Sequence, residues 1–454
     1  MLTDRYGLRH ACDDPAAVAA FADATFAVAA HRPGAAPALA AALAADADLV
    51  AGRALEGFAC LVLARAELDA PARRALAQAR AALERARGGT PEEVALVEAL
   101  AMALDGRFRA AAARLEACGA ARDGLLLPLK LAQSLRFMAG DLPGMLAGAS
   151  AALARWDEAA PGFGFALGCR AFALEEAGRL HEAESAGRRA VAAEPADAWG
   201  LHAVAHVMET DGRVGEGVAW IEAARPAWSG CNNFAFHVAW HLALFHLERG
   251  AHDAVLALYD SEVRPCPSDD FRDVANAASL LWRLAQEGVP VGDRWEELRR
   301  VAQARRCDAT LVFAALHTLL ALLGAGDGAG ARACLAALEV RAEGAGEQAE
   351  VLRHVGLDLA RALASDAPLP PARLARIARR LPAIGGSHAQ RDVFLRTLAL
   401  RAARTPGHDG LDAVLATRHR LRRPDRFAAQ VSAVRTGAAG TGAPHPRAEP
   451  ALTT

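Results

Sequence analysis

Seven glycines constrain this chain more than any other feature of its sequence. Gly106, Gly140, Gly178, Gly212, Gly250, Gly288 and Gly326 stand 34, 38, 34, 38, 38 and 38 residues apart. Each follows an apolar segment with helical spacing and precedes another, as in FALEEAGRLHEAESAGRRAV and HLALFHLERGAHDAVLALYD. Glycine just past a helix supplies the left-handed conformation that closes it. Five residues further on, Ala111, Ala183, Gly217, Val255 and Ala331, with Met145 as the exception, leave room for a second helix to pack closely. Pro195 and Pro226 stop that second helix in their repeats. Helix, tight turn, small residue and stopping proline at a period near 34 make the tetratricopeptide pattern. A spacing of 38 adds about one helical turn.

The pattern predicts an all-α fold, a tetratricopeptide-like α-solenoid of stacked helical hairpins forming a superhelix with a concave inner face. The best-defined repeats cover residues 95–340. The register extends less sharply to turns near Asp69–Pro71, Asp366–Pro371 and Pro406–Gly407. Residues 15–425 therefore read as one continuous solenoid after an N-terminal segment, 1–14, where length alone suggests about three domains. Residues 426–454 read as a C-terminal tail. Its end, TGAAGTGAPHPRAEPALTT, lacks large apolar side chains and is expected to be disordered from about residue 436.

Composition narrows the function. A formal charge of −2 argues against nucleic-acid or anionic-membrane partners, which call for a basic excess. Lys130 is the only lysine, which reads as coding bias. Eight scattered cysteines without a C-x-x-C pair suit a reducing cytosol. The N-terminus has no apolar signal-peptide core, and the most apolar run, LVFAALHTLLALL at 311–323, is too short to span a bilayer. The expectation is a cytoplasmic protein with no membrane contact.

Chemistry concentrates in residues 160–320 and 385–394. HAVAH at 202–206 and HVAWH at 237–241 both fall on first helices of their repeats. Residues four apart share a helix face, and first helices of neighbouring repeats line the concave side with axes about 8–10 Å apart. His202, His206, His237 and His241, with Glu209 extending the first row, are thus candidate ligands for a divalent metal ion. A histidine-lined pocket without metal and plain core packing are the other two readings, and all three stay open. HExxH is absent. Cys231, close to His237, is a weak basis for a Cys-His nucleophile and is set aside.

Further candidates follow from position. His317 stands nine residues before Gly326, as His241 does before Gly250. In GGSHAQRDVF at 385–394, Ser387 and Gln390 fit a helix capping box. That leaves His388, Arg391 and Asp392 as catalytic candidates beside His317, with Arg391 suited to an anion. Asn232 and Asn233 are expected to cap the helix that follows them. Glu175 and Glu176 end the first helix of the repeat preceding HAVAH, with Glu175 at the same offset from its glycine as Glu209. They either converge on the histidine region or form a solvated helix end, the favoured reading.

Together AFALEEAGRLHEAE, PADAWGLHAVAHVMETDGR, FHVAWHLALFHLERG, SLLWRLAQEGVPVGDRW and GGSHAQRDVF resemble the tetratricopeptide repeat protein 38 family over roughly residues 20–420. The resemblance implies the repeat fold and a shared pattern at His202, His206, Glu209, His237, His241, His317 and the Gly-Gly-Ser segment. It supplies no activity. Methionine is expected there where Thr210 stands, and Asn or His at His388.

Two classes of function remain. One is a binding module that takes a small molecule or peptide in the concave groove, although the lysines of a peptide clamp are missing. The other is an enzyme using metal or histidine acid–base chemistry. No phosphate loop, dinucleotide fingerprint or Ser-His-Asp order accompanies the histidines, so the reaction class is open.

Overall fold

The computed structural model describes residues 1–435 except 123, 366, 406, 408 and 409. The expected tail from 436 and the turn positions Asp366 and Pro406 lie outside the described residues. Among the described residues the chain is all-α apart from one small strand pair. Leu2–Thr3 pairs antiparallel with Arg9–His10, and the segment is tied down where Arg9 clamps the buried Glu92 carboxylate at 2.9 Å. The first long helix begins at Pro15 behind an Asp14 cap.

The seven repeat glycines all take positive φ, between 63° and 75°. In every case the next residue's amide donates to the carbonyl five positions back at 2.8–3.0 Å, from Arg107 to Met102 through Asp327 to Leu322. This is the Schellman closure of a helix, and it satisfies carbonyls that the helix end would leave unpaired. The following helix starts two residues on at Phe108, Leu142, Leu180, Val214, His252 and Gly328. After Gly288 it waits until Arg294, because Pro290 and the left-handed Gly292 (φ 61°) carry a wider loop. The residues at the fifth position, Ala111, Met145, Ala183, Val255 and Ala331, are buried. At Gly217 a Cβ would lie 2.1 Å from the Phe245 ring, so only glycine admits that packing.

Two compact units are present: residues 1–207 with 224–234, and 208–223 with 235 onward. In the first, a core of Leu126, Trp156, Phe165, Phe172, Ala183 and Val207 joins the helices Leu126–Met138, Leu142–Leu153, Phe163–Glu176 and Leu180–Ala193. In the second, Leu280, Leu281, Leu316, Leu320 and Phe394 lie fully buried on the helices Phe271–Gln286, Val312–Gly324 and His388–Arg404. Among the described residues no helix is long and apolar enough to cross a membrane.

Candidate functional site

In the first unit the candidate chemistry sits at one helix end and in the middle of another helix. The Phe163–Glu176 helix is apolar along most of its length and closes at the Gly178 turn, where the Glu175 carbonyl accepts the Gly178 amide at 2.8 Å. Its last two side chains do not reach solvent. Glu175 is 0% and Glu176 4% exposed, which overturns the reading of a solvated helix end. Tertiary packing covers this terminus, a feature that helix periodicity does not encode.

The Ala198–Thr210 helix is started by Asp197, whose Oδ2 accepts the Gly200 amide at 3.1 Å. Gly168 and Gly200 make room for this carboxylate; a Cβ at either would come within 2.3 Å of it. Burial pushes the Asp197 carboxyl up to about 7, against the pull of Lys130. The Lys130 ammonium lies 5.6 Å from the centre of the Trp199 ring.

One turn along that helix, His202 and His206 share a face as their spacing predicts. Their Nε2 atoms are 2.9 Å apart, and both rings are buried. Phe172 stacks on His202 at 5.7 Å and presents its edge geometry to His206 at 5.4 Å. Trp199 and Phe234 complete an aromatic wall around His202. His206 Nδ1 stands 3.5 Å from Glu175 Oε2, long for a hydrogen bond.

Glu175, Glu176 and His206 each offer a ligand atom, and the three atoms lie within 4.8 Å of one another. Such a set could hold a metal ion.

The second unit presents a different arrangement. His241 donates from Nδ1 to Glu209 Oε2 at 2.9 Å, and Arg422 donates to the other Glu209 oxygen at 2.6 Å. Glu209 therefore orients the His241 ring, as carboxylates behind metal-bound or catalytic imidazoles do, and its position in the sequence-predicted ligand row is taken by this pairing. His237 Nδ1 lies 3.0 Å from Asn276 Oδ1, and the ring stacks on Trp240 at 5.4 Å.

The remaining sequence candidates each have partners of their own. His317 is buried and donates from Nδ1 to the Phe313 carbonyl at 2.8 Å. Burial drives its pKa down to about 4, so the ring is neutral near pH 7. His388 Nε2 is 3.2 Å from Thr210 Oγ1. The capping box is present in both directions, from Gln390 N to Ser387 Oγ and from Ser387 N to Gln390 Oε1. Arg391 donates to the carbonyls of Gly385 and Gly386, and so braces the glycine turn. Asp392 accepts from Arg418 through both oxygens, at 2.6 and 3.2 Å. Asn232 caps its helix by accepting the Phe234 amide at 3.0 Å.

Several important groups lie outside the sequence-predicted set. Arg418 and Arg422 join Asp392, Asp425 and Glu209 into a buried network. Burial alone would raise the Asp425 carboxyl, yet Arg418 and Arg422 hold it well below the usual carboxylate range. Beside it a cavity of about 90 Å³, lined in part by Glu209, Glu248 and Arg422, has room for a handful of waters. Arg283, five residues before Gly288, is 1% exposed. An arginine inside the apolar helix segment SLLWRL was the available signal.

No protein-family model matches the chain.

Proposed function

We propose that this chain is a cytoplasmic tetratricopeptide-type solenoid protein of the tetratricopeptide repeat protein 38 family that binds a divalent metal ion. Glu175, Glu176 and His206 are its ligands, with His202 against the far nitrogen of the His206 ring. The observation that carries this reading is the burial of two consecutive carboxylates within ligand distance of the His206 imidazole, with His202 Nε2 2.9 Å from His206. Nitrogen and carboxylate donors together suit zinc, iron, manganese or nickel. A neutral imidazole offers a lone pair to such an ion, and the aromatic wall of Phe172, Trp199 and Phe234 strengthens electrostatic attraction by excluding water.

Elemental mass spectrometry on tag-free protein tests the proposal. Near-stoichiometric metal is expected in the parent, and its loss in H202A/H206A and in E175Q/E176Q. Parent protein without metal, and without thermal stabilisation by added zinc, manganese, iron(II) or nickel, overturns the reading.

A further inference from the structure

Within the second unit, three buried polar groups on three different helices are left with incomplete partners. Trp240, on the Phe234–Glu248 helix, is 0% exposed, and its indole N–H meets no acceptor among the described residues. His317, on Val312–Gly324, is 1% exposed; Nδ1 is spent on the Phe313 carbonyl and Nε2 meets no donor there. Arg283, on Phe271–Gln286, is equally buried. Its guanidinium donates to the carbonyls of Ser279 at 3.1 Å and Ala389 at 2.7 Å, with its carbon 5.5 Å from the centre of the Trp240 ring. No carboxylate pairs directly with it among the described residues. The nearby acids are committed elsewhere, Asp392 to Arg418 and Glu209 to Arg422 and His241.

Arg283 links the other two groups: its guanidinium lies over the Trp240 ring, and its charge acts on His317. Arg283 reaches the His388–Arg404 helix at Ala389, and His317 meets the same helix at Phe394, ring centres 5.0 Å apart. The positive charge of Arg283 also contributes to keeping His317 neutral. A buried cation without a counter-ion, a donor without an acceptor and an acceptor without a donor each cost stability. One small ligand answers all three.

We propose that Arg283, Trp240 and His317 bind a small oxyanion that carries an O–H donor, a hydroxycarboxylate or hydrogenphosphate. Its negative oxygens accept from Arg283 and from the Trp240 N–H, and its hydroxyl donates to His317 Nε2. An amino group in place of the hydroxyl would set an ammonium beside the guanidinium, which disfavours amino acids. The site does not depend on a metal ion.

The test is run on EDTA-treated protein, so that failure of metal binding cannot affect it. Sodium glycolate, sodium acetate, sodium phosphate and sodium chloride are titrated at constant ionic strength, read by tryptophan fluorescence and melting temperature. Saturable binding of glycolate or phosphate is expected, with acetate and chloride about tenfold weaker or more. A response to glycolate alone identifies a hydroxycarboxylate site, and a response to phosphate alone identifies a phosphate site. R283M should lose the response. W240F keeps the ring and removes only the unpaired N–H, so it should fold at least as well without ligand and still bind about tenfold more weakly. Equal responses to all four salts, no saturable response to any, or an unaltered response in W240F would overturn the proposal.

Discussion

The two units bury carboxylates beside chemically different partners. In the first, Glu175 and Glu176 lie within ligand distance of an imidazole. In the second, Asp392, Asp425 and Glu209 are gripped by the guanidinium groups of Arg418 and Arg422. Arginine is always charged and presents a rigid fork, so it fixes a carboxylate as structure. Imidazole titrates near neutrality and carries a lone pair, so it can share a carboxylate with a metal ion or a proton. The same burial therefore builds a strut in one place and a chemically responsive centre in the other.

The largest effect should come from breaking the strut. R418M leaves Asp392 and Asp425 buried beside fewer cations, and loss of one partner from such a network costs about 3–5 kcal/mol. Urea unfolding followed by circular dichroism measures it. A loss below about 1 kcal/mol would remove the distinction between the two regions.

Next in size is a pH effect that contrasts two aspartates. Burial pushes Asp197 up to about 7 in the folded chain, against an ordinary value of 3.8. The folded state thus holds a proton that the unfolded state has released between those values. Stability from this group is full below the unfolded value and is lost as pH rises through about 7. It should make the parent about 2–3 kcal/mol more stable at pH 5 than at pH 8. Asp425, held low by its arginines, has the opposite sign, since its contribution is lost only as pH falls through its depressed folded value. Unfolding of D197N across the same range should lose the gain at pH 5. D425N should keep that gain while being less stable at neutral pH.

The glycine period made the helix ends legible to the residue, because a left-handed closure leaves a chemical mark in the sequence. The paired histidines were legible as shared helix faces for the same periodic reason. Burial at the helix ends was not. Glu175 and Glu176 look like ordinary solvated C-terminal residues until tertiary neighbours cover them. The arginine network was equally hidden, because Glu209 and Arg422 are 213 residues apart and no local pattern joins them. Reading Asp392 as a catalytic candidate came from its neighbours in sequence; Arg418, 26 residues on, decides what it touches.

A smaller effect tests the shared scaffold instead of the clusters. Gly326 has φ 72° and open space where a Cβ would stand, so G326A isolates the backbone penalty of about 1–2 kcal/mol. Gly217 lies inside a helix without positive φ, so G217A carries no such penalty but meets the Phe245 ring at 2.1 Å and should lose stability in the overpacking range of about 1–3 kcal/mol. Thermal unfolding of both variants separates conformational strain from crowding. If G217A loses nothing, the close approach at Gly217 relaxes without cost.

The smallest stability change is the sharpest test of the comparison. E175Q/E176Q keeps the shape of both side chains and removes their charge. Where guanidinium forks hold carboxylates, such neutralisation strips the partner of its counter-ion. Where a metal ion supplies the compensation, metal-free protein should gain or lose less than about 1 kcal/mol, because the charge removed was itself unfavourable to bury. The same variant should no longer be stabilised by added divalent metal, while R418M retains that response despite its weakened fold. Chemical unfolding with and without EDTA reads both outcomes. A loss of several kcal/mol in metal-free E175Q/E176Q would make Glu175 and Glu176 structural partners like Asp392, and the two units would then have solved carboxylate burial in the same way.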